Sequence, residues 1–116
     1  MSRSVGTWGE AQVANYLRKN RYRLVAHSYH CRFGEIDLIA MDGKTLCFVE
    51  VKTRSNVSMG LPREYVNAAK QERIRKTALF YLSEKELDCP MRFDVAEVYQ
   101  SGSGALERIE YIKNAF

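Results

Sequence analysis

Four side chains in one 22-residue stretch could do chemistry together. Residues 33–54 read FGEIDLIAMDGKTLCFVEVKTR. Two apolar, β-branched runs flank Asp42-Gly43, a strong signal for a two-residue hairpin. Glu35, Asp37 and Glu50 lie inside those runs and Lys52 follows. Strands do not carry ionised carboxylates on a buried face without compensation. With Asp42 and Gly43 as the loop, Met41 faces Lys44, Asp37 lies opposite Phe48 and Glu35 opposite Glu50. Side chains alternate with period two, so Glu35, Asp37, Phe48, Glu50 and Lys52 share one face. Asp37 and Glu50 become diagonal neighbours, roughly 7–8 Å apart at the backbone. A one-residue slip would put them on opposite faces.

Like charges at that spacing destabilise a sheet, and a cation between them removes the penalty. Oxygen ligands of this kind suit hard cations, Mg²⁺ or Mn²⁺. Such an ion can activate water and stabilise a pentacovalent, phosphorane-like transition state. The Lys52 ammonium could orient the attacking water or neutralise phosphate charge. The competing reading is an internal Glu50–Lys52 or Glu35–Lys52 ion pair.

The elements that must position these residues follow from the flanking sequence. Thr7-Trp8-Gly9-Glu10 has the Thr-x-x-Glu spacing of a capping box and opens a helix running to about Asn20. Glu10 also belongs to the apolar stripe of Val13, Ala14 and Leu17. It has two candidate roles, helix cap and member of the carboxylate cluster. Arg18, Lys19, Arg21 and Arg23 suit a solvated helix end. Strands are expected over about Tyr22–His30, Phe33–Met41 and Lys44–Thr53. Residues 55–60 are a polar loop, and Pro62 opens a second helix to about Ser83. Val66, Ala69, Ile74, Ala78, Tyr81 and Leu82 form its stripe, with Lys70 at the edge. Met91–Gln100 alternates as a strand, Ser101–Gly104 turns, and Leu106–Ile112 is a short last strand. The order α-β-β-β-α-β-β gives an α/β fold, a mixed sheet flanked by two helices. No repeat or linker divides the 116 residues, so one domain spans 1–116.

The bulk properties narrow the classes. Hydrophobic residues make up 46% of the chain, which argues against disorder. No apolar run approaches a membrane span, and the first residues lack a signal-peptide core, so a cytoplasmic protein is expected. The three cysteines are an odd count without close pairing, against a disulfide framework. His27, His30 and Cys31 are clustered, but a strand splays the two histidines, against zinc. Net charge is +4 and the pI about 9.0, which permits a polyanion partner.

Gly34-Glu-Ile-Asp-Leu-Ile39 followed by Phe48-Val-Glu-Val-Lys-Thr-Arg54 resembles the PD-(D/E)-x-K nuclease superfamily, which includes restriction endonucleases and Holliday-junction resolvases. Gly9-Glu10, Tyr16-Leu17, Lys70 and Arg92-Phe93-Asp94-Val95 extend the similarity to the small bacterial YraN-like family assigned to that superfamily, over about residues 6–98. The resemblance implies a restriction-endonuclease-like fold with a core of helix, three antiparallel strands, helix and strand. It implies that Asp37 and Glu50, helped by the Val51 carbonyl, bind divalent metal, and that Lys52 positions the water. It makes Glu10 an auxiliary acid and Lys70, with Arg54, a substrate contact. Ser28 stands where the YraN-like pattern usually carries asparagine. The expected function is therefore metal-dependent hydrolysis of nucleic-acid phosphodiesters, DNA first. A non-catalytic nucleic-acid- or protein-binding module on the same scaffold is the alternative. Duplex cleavage from one small site would ask for a homodimer.

Overall fold

The structure, a computed structural model, describes residues 7–55 and 66–116. Helix α1 (Trp8–Lys19) is followed by β1 (Arg23–Cys31), β2 (Gly34–Asp42) and β3 (Thr45–Ser55), then α2 (Ala68–Glu84), β4 (Met91–Gln100) and β5 (Leu106–Ile112). This is the expected α/β order. The five strands form one mixed sheet in the order β1-β2-β3-β4-β5. The β3–β4 pair is parallel, and the other three pairs are antiparallel. A parallel pair needs a crossover between its strands, and α2 lies on that connection.

Each helix covers one face. Val13 and Leu17 of α1 pack on Leu38, Ala40, Cys47, Val49, Ala96 and Val98. On the other face Ile74, Ala78 and Tyr81 of α2 pack on Ile36, Ile39, Leu46, Phe48, Phe93 and Val95. Interior strand β4 is therefore buried from Phe93 through Val98 on both sides. Gly9 lets α1 approach β3 closely, because a Cβ there would collide with Thr53 Oγ1.

Three local expectations need correction. The β2–β3 loop is Gly43-Lys44, with Asp42 paired to Thr45. The loop's one positive φ falls on Gly43 (+62°), at its first position, where a type II′ turn takes glycine. Asp42 stays in the strand, where its carboxylate accepts from Arg92 Nη1 at 3.0 Å. Helix α2 begins at Ala68, where the Asn67 side chain accepts the Lys70 N–H and caps it, so Val66 and Asn67 precede the helix expected to include them. Pro62 and Arg63 lie outside the described residues. Ala69 is exposed, and Thr77 takes its place in the buried stripe.

Candidate functional site

The pairing of β2 with β3 runs from Asp42↔Thr45 to Leu38↔Val49. Beyond that point β3 stays with β4 as far as Ser55↔Gln100. Asp37 is the next residue of β2, at the mouth of the opening seam. Its carboxylate Oδ2 accepts the Val51 N–H at 2.8 Å, replacing the ladder bond that β2 no longer supplies.

A second irregularity meets Asp37 from β1. The β1–β2 register passes from His27↔Leu38 to Tyr29↔Ile36, leaving Ser28 and Asp37 between. Ser28 has φ of +51°, the left-handed region. Alternation slips there. Ala26 and Tyr29, three residues apart, both pack on the α2-side core, and so do Ile39 and Ile36 of β2. Asparagine tolerates this backbone better than serine does.

The loop correction moves the β2–β3 partners by two positions, an even number. The predicted faces of Phe48 and Glu50 are therefore unaffected and Glu50 rather than Phe48 comes level with Asp37, but the slip at Asp37 takes Glu35 off the face that Ile36 and Phe48 share. Glu50 is buried, 8% exposed, and Lys70 Nζ lies 2.6 Å from its Oε2. Lys70 belongs to the first turn of α2, where the helix dipole disfavours a cation. No acidic residue in that turn offsets it. The Glu50 contact compensates.

Burial, followed by the charge of Glu50, pushes the Asp37 carboxyl up to about 7. The Val51 N–H pulls in the opposite direction, Glu10 raises it further, and Lys70 lowers it. Glu10 thus acts on Asp37 while also closing the capping box. Its backbone N–H donates to Thr7 Oγ1 at 3.1 Å and its Oε1 accepts the Thr7 N–H at 3.4 Å. The cap and the cluster share one side chain.

The remaining candidates are placed as follows. Lys52 is half-buried on β3, paired in register with Glu97, and among the described residues it makes no ion pair. The competing internal Glu50–Lys52 pair does not form, because Lys70 takes Glu50. Arg54 Nη2 lies 3.3 Å from Glu97 Oε2, and Tyr99 OH donates to Glu97 Oε1 at 3.0 Å. Glu35 is exposed and pairs with His30 of β1, so it does not join the buried pair. The structure thus brings Glu10, Asp37, Glu50, Val51 and Lys70 into one electrostatic neighbourhood.

A hard divalent cation can be tested against this donor set. Among the described residues no three His, Cys, Asp or Glu side chains converge on one point. Magnesium needs only one or two carboxylates, with other oxygens completing the shell. Two neighbouring acids in a half-buried seam, the charge of Glu50 raising the proton affinity of Asp37, meet that requirement, so the residues fit.

Arg92-Phe93-Asp94-Val95 has a different role. Asp94 is fully buried. It accepts from Arg92 Nε and Nη2 (both 2.9 Å), Tyr111 OH (2.6 Å) and the Asn114 N–H (2.8 Å). Arg92 Nη2 also donates to Tyr22 OH at 2.9 Å. Asp94 and Arg92 together thereby tie β4, β5 and the α1–β1 connection to one another. Burial and then the Asp94 hydrogen bond push the Tyr111 phenol far above its ordinary range. Among the described residues, no helix is long and apolar enough to cross a membrane.

Fold and site together define a small α/β domain with paired acids where two central strands part, and a lysine from the crossover helix. The chain belongs to the family described as uncharacterised protein family UPF0102, which it matches over residues 9–98. A UPF0102 protein of Syntrophus aciditrophicus is 50% identical over 112 residues, covering 96% of this chain and 87% of the relative. One from Geotalea uraniireducens is 46% identical over 99% of this chain and 91% of its own length. One from Alkaliphilus metalliredigens is 46% identical over the whole of both chains.

Proposed function

We propose that this domain is a divalent-metal-dependent nuclease acting on nucleic-acid phosphodiesters. The observation that carries the reading is the Asp37–Glu50 pair in the β2–β3 seam. Its mutual repulsion and burial hold Asp37 at about 7, a cost that folding alone gives no reason to keep. The PD-(D/E)-x-K resemblance of Asp37, Glu50 and Lys52 points the same way. Asp37, Glu50 and the Val51 carbonyl would hold Mg²⁺ or Mn²⁺. When bound, the ion would supply Lewis-acid stabilisation of phosphate charge and a more acidic water.

The protein's own groups have separable tasks. The Val51 N–H fixes the Asp37 carboxylate, so its remaining oxygen is oriented before any ligand arrives. Lys52 offers an ammonium for the attacking water or the developing negative charge. Lys70 can neutralise either Glu50 or a substrate phosphate, so substrate and acid compete for one cation. Glu10 adds negative potential from the α1 side. Arg54, braced by Glu97, lies two residues past Lys52 to meet backbone phosphate.

Purified protein incubated with linear, branched and single-stranded DNA and RNA in Mg²⁺ or Mn²⁺ tests this. Asp37→Asn and Lys52→Ala should each reduce cleavage at least about 100-fold with the fold intact. No cleavage of any substrate, with no cation binding by calorimetry, would overturn the proposal. The 2.6 Å Lys70–Glu50 contact favours a second reading, a binding module whose second acid is permanently neutralised. Salt-sensitive binding without turnover would support that reading.

A further inference from the structure

The β1–β2 hairpin turns through Arg32 and Phe33, between the paired Cys31 and Gly34. Two-residue hairpin loops favour Gly, Asn and Asp. An arginine and a phenylalanine serve neither the turn nor the core. The Phe33 ring meets Phe80 of α2 edge-on, with centroids 5.9 Å apart, and the Arg32 guanidinium lies 5.0 Å from the Phe33 centroid. Phe33, Phe80, Leu79 and Lys76 line an open apolar depression, and Leu79 is 56% exposed.

The surroundings are basic. Arg32, Arg73 and Lys76 are exposed, and Arg73 lies beside Gly34 at the base of the hairpin. Glu35 and Glu72 are also exposed nearby, but among the described residues neither pairs with these cations. A second copy of the chain docking here about a twofold axis would set the three cations against their own equivalents. A polyanion with flat apolar faces complements both halves of the patch.

The patch is connected to the acids. Phe33, in the turn just before β2, precedes Asp37 by four residues, about 13 Å. Phe80 follows Lys70 by ten residues along α2, about 15 Å. Arg73 lies between Lys70 and Phe80 on that helix. At 3.4 Å per stacked nucleotide the distance is roughly four nucleotides.

We infer that the Phe33–Phe80 platform, with Arg32, Arg73 and Lys76 around it, binds unpaired nucleotides of the substrate, so the proposed nuclease acts on nucleic acid carrying a single-stranded segment. Base faces are available for stacking on an aromatic ring only when the strand is unpaired. The inference rests on the nuclease reading for its catalytic half and is independent of it for binding.

The test measures fluorescence anisotropy of a labelled single-stranded oligonucleotide and of the blunt duplex of the same sequence, with full-length protein in EDTA. The single strand should bind more tightly. Phe33→Ala should weaken single-strand binding about tenfold and duplex binding less than about twofold. Phe33→Trp should retain binding, with indole emission quenched by the oligonucleotide. Combined Arg32→Gln and Lys76→Gln should flatten the salt dependence of single-strand binding by about 1.4 in log–log slope, about 0.7 for each phosphate no longer neutralised. Should Phe33→Ala fail to fold, the Trp and Gln variants decide. Equal affinity for both nucleic acids, or indifference to the Phe33 and Arg32/Lys76 changes, overturns the platform. So does a wild-type dimer that Phe33→Ala converts to monomer. Cleavage of single-stranded or branched substrate unaffected by these changes removes the platform and leaves the nuclease. Platform-dependent binding without cleavage by any cation does the reverse.

Discussion

Replacing Asp37 with asparagine removes the charge that the seam penalises and keeps an oxygen for the Val51 N–H. In the folded chain Asp37 loses its proton near 7, against 3.8 for an ordinary aspartate. That difference corresponds to about 4 kcal/mol between its two protonation states. The sign follows from linkage. Between about pH 4 and 7 the folded chain holds a proton that the unfolded chain has released, so this group's contribution to stability falls as pH rises through that window. Below the window the contribution is fully present, and above it the contribution is gone. Relaxation around the charge lowers the realised effect to on the order of 2 kcal/mol. Asp37→Asn should therefore match wild type near pH 4 and exceed it by about 2 kcal/mol at pH 8, or about 5–10 °C in Tm for a domain this size. Urea unfolding followed by circular dichroism from pH 4 to 8.5 measures the difference, and other titrating groups cancel in the comparison. Millimolar Mg²⁺ should raise the wild-type midpoint at pH 8 and leave the variant unchanged. A variant less stable than wild type at pH 8, or a difference independent of pH, would refute the account of a strained acid pair.

Glu50→Gln should lower the Asp37 midpoint below 7 and Lys70→Met should raise it, since the first removes a repelling charge and the second an attracting one; carboxyl ¹³C NMR titration reads both. Arg92→Ala leaves Asp94 buried without its bidentate donor and should cost about 3–5 kcal/mol in chemical denaturation. Gly9→Ala drives a methyl into Thr53 Oγ1 and should destabilise by about 1–3 kcal/mol. Ser28→Gly relieves a left-handed serine and should stabilise by about 1 kcal/mol, measured by thermal melts.

The element order was legible because each signal was local. Thr7 and Glu10 declare the start of α1, and alternation with flanking turns bounds β4 at Met91 and Gln100. The nearness of Asp37 to Glu50 is insensitive to the loop correction because the shift is of two residues, and period-two alternation tolerates even slips. What escaped was non-local. Nothing near Lys70 in sequence says that its ammonium will reach Glu50 across the crossover, so the acid that Lys52 could have paired with is held instead by a lysine 20 positions after it. The strand irregularity at Ser28 was equally hidden, since serine carries no backbone signal of the kind glycine does. The aromatic hairpin tip was visible as letters, but its partner Phe80 was not.

Among the described residues the sheet has two lateral borders, β1 and β5. The first is interrupted by a register shift between Leu24 and Ala26 and by the left-handed Ser28. The second is joined through a shift between Tyr99 and Gln100 and is studded with Glu107, Arg108 and Glu110. Neither border is a flat template onto which a foreign strand could zip. Growth of the β-layer by lateral addition is thereby discouraged at both ends, and self-association, where it occurs, is steered to helices and loops.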